Sequence, residues 1–283
     1  MISDEGAIER ALKRDRAGVV ASLALVTVLA WTYLIVLALD MARGEMGLMG
    51  MDLPKGGAAQ TLEAMAGAVM GGPRPWSFTT FLLMGLMWWV MMLGMMVPSA
   101  APMILLYARL QRRKLAHEAP GRRIALFALG YLLAWLGFSI AATVLQWGLG
   151  TLALMSPMMA STSPALAVAI FLLAGAYQLT PLKQACLAHC RAPVEFLSRH
   201  WRPGDGGALV MGLHHGAYCV GCCWVLMALL FATGVMNLLW VAVIAIFVLL
   251  EKVLPAGRWV SRAGAFALFA LAAVFAVQSS MMP

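Results

Sequence analysis

Long apolar runs, separated by short polar segments, repeat along nearly the whole chain. A helix crosses a bilayer core about 30 Å thick with about 20 apolar residues, and the runs approach or exceed this length. Seven helical spans are predicted, at 18–39, 78–107, 124–147, 164–179, 208–231, 236–254 and 263–277. The pattern indicates an all-α protein, a polytopic transmembrane helical bundle of about seven spans.

Composition places the chain in the same class. Apolar residues make up 63% of it and charged residues 11%, with a mean hydropathy of +0.86, whereas soluble domains are about 45–50% apolar and about 25% charged. The formal net charge of +8 does not indicate a nucleic-acid partner, because the lysines and arginines lie in short groups between apolar runs. The predicted partner is the lipid bilayer, and no nucleotide-binding loop is recognised.

The basic groups predict an orientation, since cytoplasmic loops carry an excess of Lys and Arg. Basic residues concentrate in the leader, in 109–123, in the connector 180–207 (which includes Lys183) and in 251–262, all on one side of a seven-span bundle. The N-terminus is therefore expected inside and the C-terminus outside. We divide the chain into 1–77, with the leader, first span and outer loop, and 78–283, a six-span bundle.

One of the most apolar stretches, GLHHGAYCVGCCWVLM at 212–227, holds three of the five cysteines and two of the five histidines. Residues three and four apart share a face of a helix. On a helix over 208–231, His215, Cys219 and Cys222 fall at i, i+4 and i+7, and Cys223 belongs to the same broad face. Counted at 1.5 Å per residue, the cysteines lie about 15–20 Å below the start of this span.

The other two cysteines lie in PLKQACLAHCRAP, at 181–193. Thr180 suits the N-cap of a short helix with proline at its first position, and Pro193 should end that helix at or before residue 192. Three side chains then share one face at i, i+3 and i+4: Cys186, His189 and Cys190.

A lone buried cysteine is usually a small packing residue, but five near two histidines predict metal ligands. The proposed set is Cys186, Cys190, Cys219, Cys222 and Cys223, completed by His215 or His189. Sulfur-rich sets favour Cu(I), the preferred ion, and thiolate with imidazole suits Zn(II), the second choice. The odd number and an inside location argue against disulfides.

The second span adds a methionine stripe in MWWVMMLGMMVPSAAPM. Methionine most often fills cores, but the stripe reaches a depth of about 17 Å from the inner end, comparable with the cysteines. The alternative to a packing role is therefore an accessory relay for a soft ion, formed by Met91, Met92, Met95 and Met96. Pro98 and Pro102 are expected to disrupt this helix and to free backbone carbonyls, which a neighbouring helix can satisfy.

Adjacent residues on a helix point apart, so Glu251 and Lys252 should differ in environment. The favoured interpretation has Lys252 extending to the membrane interface and Glu251 paired with a basic neighbour. The alternative has Glu251 orienting a metal ligand such as His215 through a hydrogen bond.

Four motifs in order, MWWVMMLGMMVPSAAPM, YQLTPLKQACLAHCRAP, GAYCVGCCWVLMALLFATGVMNLLW and LLEKVLP, resemble a bacterial family of predicted metal-binding integral membrane proteins of unknown function. The resemblance covers roughly residues 82–255. It implies a multi-pass inner-membrane protein with a metal site at the five cysteines, and it supplies no reaction.

The preferred hypothesis is a soft-metal protein of the bacterial inner (cytoplasmic) membrane, acting in transport, storage or delivery to a metalloenzyme under assembly, with a metallochaperone as a further possible partner. No catalytic residue is predicted. Two alternatives stay open: thiol–disulfide electron transfer through Cys219 and Cys222, and an assembly scaffold in which the thiols are incidental.

Overall fold

The computed structural model describes residues 17–39, 76–114, 120–152, 154, 161 and 163–281. Within these residues the chain forms nine helices and no β-strand. They are α1 (Ala17–Leu39), α2 (Phe78–Lys114), α3 (Pro120–Thr151), α4 (Pro164–Gln178), α5 (Pro181–Arg191), α6 (Pro193–His200), α7 (Gly204–Thr233), α8 (Leu238–Val253) and α9 (Gly257–Met281). The basic leader and most of the first outer loop, on which the predicted orientation depends, lie outside the described residues.

Each predicted span corresponds to one helix, and the two remaining helices, α5 and α6, occupy the connector. Five helices are long and apolar enough to cross a membrane: α1, α2, α3, α7 and α9. A sixth crossing results if α4 and α5, which meet at a bend of 64°, form one broken span. Helix α8 has 16 residues, about 24 Å at 1.5 Å per residue. The all-α class is confirmed, and seven membrane crossings stay a prediction.

The most extensive packing joins α3 to α7, and glycine makes it possible. A Cβ atom on Gly212 would collide with the backbone carbonyl of Phe127, and one on Gly130 would collide with the carbonyl of Leu209. A Cβ on Gly216 would lie 2.5 Å from that of Ala134. Gly212 and Gly216 are four residues apart, a spacing that lets apolar helices approach closely. This approach fixes which face of α7, and therefore which cysteines, look into the bundle.

Helix α2 stays continuous through Pro98 and Pro102, although a break was expected there. The freed carbonyl that was predicted does occur. Pro98 has no N–H to donate to the carbonyl of Gly94, and the indole Nε1 of Trp31 in α1 donates to it instead at 3.2 Å. A neighbouring helix thus satisfies the group, as predicted, and the continuous α2 carries its methionines into the core.

Helix α5 begins and ends as its sequence predicts. The hydroxyl of Thr180 accepts a hydrogen bond from the backbone N–H of Lys183 at 3.2 Å, Pro181 occupies the first turn, and the helix ends at Arg191 before Pro193. These local signals set the bend after α4. Because of the bend, α5 lies across α7 and α8 and faces the interior with one side.

A buried ion pair holds α5 against the last two helices. The Nζ atom of Lys183 donates to both carboxylate oxygens of Glu251 in α8, at 2.9 and 2.8 Å, and Ser261 in α9 donates to one of them at 2.8 Å. Lys183 was counted above among the basic residues of an inner loop. Its side chain is instead fully buried, because its charge is neutralised inside the bundle, and it carries no weight as a surface charge.

Candidate metal centre

Three cysteines of α7 point into the bundle. Cys219, Cys222 and Cys223 are each 1% exposed. The thiols of Cys222 and Cys223 donate to the carbonyl of Cys219 at 3.1 and 3.0 Å, as expected for donors one turn along a helix. The Sγ atom of Cys219 can therefore accept hydrogen bonds from groups on other helices. All five cysteines are free thiols.

Helix α5 brings a fourth thiol to the same place. The side chain of Cys190 lies beside those of Cys219 and Cys222. Cys186, one turn earlier, packs against α7 where Gly221 leaves room, since a Cβ there would come within 2.9 Å of its Sγ. Cys186 and Cys190 are both half-buried, but Cys190 contacts Cys219 and Cys222 directly, whereas Cys186 only neighbours Cys222. Two segments that are separate in sequence therefore converge through their cysteines.

Helix α2 contributes a thioether to this group. The Sδ atom of Met96 lies 3.9 Å from the Sγ of Cys223. The other three methionines of the predicted relay are buried in the core around it: Met91, Met92 and Met95. We refer below to the sulfur cluster, which consists of Cys190, Cys219, Cys222, Cys223 and Met96.

The predicted position of Lys252 is wrong, because its side chain does not extend to the membrane interface. Its Nζ atom donates to the Sγ of Cys219 at 3.0 Å and to the hydroxyl of Ser99 at 2.9 Å, and the side chain is 9% exposed. An ammonium at this distance stabilises the thiolate form of a cysteine. Lys252 lies in the last turn of an apolar helix, where lysines usually extend to the interface, so no local signal indicated this inward position.

Glu251 points away from Lys252, as neighbours on a helix must. The prediction that it pairs with a basic neighbour is confirmed by its ion pair with Lys183. Its hydrogen bonds go to Lys183 and Ser261. Its part in the site is therefore indirect, since it fixes α5, which carries Cys190.

Tyr131 of α3 is a second group that the sequence reading did not single out. Its hydroxyl lies 3.2 Å from the Sγ of Cys219 and donates to the carbonyl of Met96 at 3.0 Å. The hydroxyl of Ser99 donates to the same carbonyl at 2.8 Å. Cys219 therefore lies between the ammonium of Lys252 and the hydroxyl of Tyr131, whose single proton can go either to the carbonyl of Met96 or to the sulfur. No sequence motif identifies this tyrosine, because only the packing of α3 on α7 brings it there.

The two predicted histidine ligands occupy different surroundings. His215 is 3% exposed and stacks with Phe127 and Tyr131, at ring separations of 6.3 and 5.7 Å. Its Nδ1 atom is buried without a hydrogen-bond partner among the described residues. His189 stacks on Tyr218 at 4.1 Å, and its Nδ1 lies 2.8 Å from the carbonyl of Ala185. His215, one turn before Cys219, is thus the histidine with an unused ring nitrogen in the interior.

The donor types of the sulfur cluster favour some ions over others. Across the described part of the chain, no group of three or more His, Cys, Asp or Glu side chains is arranged to hold a metal ion. Pairs of sulfur atoms, including a thioether, suit a soft ion of low coordination number such as Cu(I). The role of each predicted ligand stays a prediction.

The fold and the site together define a class of protein: a bundle of long apolar helices whose interior holds thiols, a thioether and a buried lysine. The profile of a copper chaperone family, PpoB2, matches residues 85–275. This is well over half of the chain, and the protein belongs to that family. No curated protein and no solved structure was found to match it. The family agrees with the preference for copper, while the bacterial and inner-membrane parts of the resemblance noted above stay predictions.

Proposed function

We propose that this protein is an integral protein of the bacterial inner membrane that binds Cu(I) in its sulfur cluster and delivers the ion to a metalloenzyme under assembly. The observation that carries the proposal is the meeting of Cys190 from α5 with Cys219 and Cys222 from α7 in the interior. A thiol pair on one helix can be an accident of composition. Thiols from two helices that converge beside a buried ammonium require a chemical reason.

The sulfur cluster favours Cu(I) over Zn(II) as cargo. Thiolate and thioether are soft ligands that select Cu(I), and Met96 supplies the thioether beside Cys223. The description of the family as copper chaperones supports the same ion.

A membrane location is supported by the outer surface of the helices. Large apolar side chains that would be unfavourable in water lie exposed on α1, α3 and α9, among them Leu29, Leu145 and Phe266. Exposed apolar surface on this scale indicates contact with lipid or with a partner. In a bilayer of the predicted orientation, the bend between α4 and α5 lies at the inner side. Copper would then enter or leave near Cys190.

The decisive experiment measures copper on detergent-purified protein loaded with Cu(I) under anaerobic, reducing conditions. We expect bound copper in the wild type, and a loss of at least about tenfold in affinity for Cys219→Ser and Cys190→Ser, since each removes a central soft ligand. Cys186→Ser is the matched control, from the same helix as Cys190 but at the border of the cluster, and should retain most copper. A wild type with no more copper than the Cys219 variant would contradict the proposal.

Thiol–disulfide exchange is the second candidate, and the contact between Lys252 and Cys219 supports it. An ammonium beside a thiol raises the fraction of nucleophilic thiolate, and Cys222 is close enough in sequence to resolve a mixed disulfide. A Cys222→Ser variant that accumulates a mixed disulfide at Cys219 with a partner protein would favour exchange. Copper binding without such a species would favour the copper proposal.

A further inference from the structure

Lys252 places a fixed positive charge against the sulfur cluster. Its two hydrogen bonds go to Cys219 and Ser99, and Cys222, Cys223 and Tyr131 are its other close neighbours. The adjacent carboxylate, Glu251, is already neutralised by Lys183. Among the described residues Lys252 therefore faces sulfur and hydroxyl groups and no carboxylate, which is an uncommon arrangement for a buried lysine.

We infer that Lys252 is the residue that selects a monovalent soft ion over a divalent one in this cluster. The inference rests on the proposed binding of Cu(I) and goes beyond it, since it assigns the choice of ion to a side chain that does not coordinate it. The choice follows from total charge, because uncompensated charge is strongly unfavourable in a low-dielectric interior.

The charges can be counted for a site with two thiolates. Lys252 contributes one positive charge, and Cys219 with one further thiolate contributes two negative charges. A monovalent ion brings the sum to zero. A divalent ion leaves one positive charge in the interior unless a third thiol also loses its proton. Without the ammonium, the same two thiolates are neutral with a divalent ion and carry a net negative charge with a monovalent one.

The test compares three variants at position 252. Lys252→Met and Lys252→Gln remove the charge, and glutamine retains hydrogen-bonding capacity toward Ser99 and Cys219. Lys252→Arg keeps the charge and is the matched control. Competition between Cu(I) and Zn(II), each buffered by a chelator, gives the ratio of the two affinities. We expect the preference for Cu(I) to fall at least about tenfold in both neutral variants and to change less than about threefold in the arginine variant.

A measurement on the wild type keeps the inference testable if the neutral variants do not fold. Ag(I) and Cd(II) both bind thiolates strongly but differ in charge. The affinity of the protein for each ion is expressed relative to the affinity of dithiothreitol for that ion in the same buffer. On this scale, Ag(I) should displace Cu(I) from the wild type and Cd(II) should not. Equal competition by the two ions, or an unchanged Cu(I) preference in folded Lys252→Met, would overturn the inference. A wild type that binds none of these ions would overturn the proposed function itself.

Discussion

Lys183 and Glu251, 68 residues apart, form an ion pair whose side chains are 0% and 1% exposed. Both carboxylate oxygens accept from the ammonium, at 2.9 and 2.8 Å. The pair joins the short helix that carries Cys190 to the helix that carries Lys252. The ion pair therefore helps to hold Cys190, a member of the sulfur cluster, near Lys252.

Removing one member of the Lys183–Glu251 ion pair should destabilise the protein far more than removing both. Lys183→Met leaves a buried carboxylate without its counter-ion, and we expect it to lower the free energy of unfolding by about 3–5 kcal/mol. Lys183→Met combined with Glu251→Met should recover most of this loss, because no charge is then buried. Unfolding in mixed micelles measures both. If the free energies of unfolding of the single and double variants differ by less than about 1 kcal/mol, the pair is not buried as described.

Close packing of α3 on α7 should not tolerate a methyl group at Gly212. A Cβ there meets the carbonyl of Phe127, so Gly212→Ala must push the helices apart. We expect a loss of stability of at least about 2 kcal/mol. The control is Gly137→Ala in α3, where a Cβ has nothing within 4 Å. It should be neutral or more stable by up to about 1 kcal/mol, because alanine favours the helix. Equal melting temperatures for the two variants would refute the close approach.

The carbonyl of Gly94 should depend on Trp31 for its hydrogen bond. Pro98 cannot donate to it, so Trp31→Phe leaves a buried acceptor unsatisfied and should cost about 1–2 kcal/mol. Trp89 provides a matched control, since its Nε1 donates at 3.1 Å to the carbonyl of Leu132. That carbonyl lies inside α3 and has a helical donor as well. Trp89→Phe should cost less than half as much in thermal unfolding, and a larger effect than that of Trp31→Phe would contradict the explanation.

The carbonyl of Met96 accepts from two hydroxyls, those of Tyr131 and Ser99. Either can be lost while the other satisfies the carbonyl, so Tyr131→Phe and Ser99→Ala should each cost about 1 kcal/mol or less. The double variant should cost somewhat more than their sum, because the carbonyl is then left with only its helical donor, the backbone N–H four residues on. A double-mutant cycle measures this coupling. Additive losses would mean that the two hydroxyls act independently.

Much of the local structure could be predicted from the sequence. The seven apolar runs each became a helix, and α5 starts after Thr180 and ends before Pro193 as its caps indicate. The freed carbonyl at Gly94 followed from the chemistry of Pro98, although the expected break in α2 did not. These features depend on residues within a few positions of one another, and hydrophobic periodicity and capping describe such neighbours well.

The site was less accessible to sequence reasoning. The residue types pointed to a soft metal and placed Met96 at the depth of the cysteines, but they did not reveal Tyr131, and they placed Lys252 at the membrane interface. Lys252 lies 33 residues from Cys219 and 153 residues from Ser99, its two hydrogen-bond partners. No local pattern encodes contacts at such separations.

By itself, the sequence determined where the helices run and which segments concentrate sulfur-bearing side chains, because apolar run length and residue chemistry are properties of short segments. The tertiary structure alone decided which cysteines meet, that Lys183 neutralises Glu251, and that Lys252 is left to Cys219. One physical reason is the close crossing of α3 and α7 at Gly130, Gly212 and Gly216, which fixes the rotation of these two helices and thereby brings Tyr131 to Cys219.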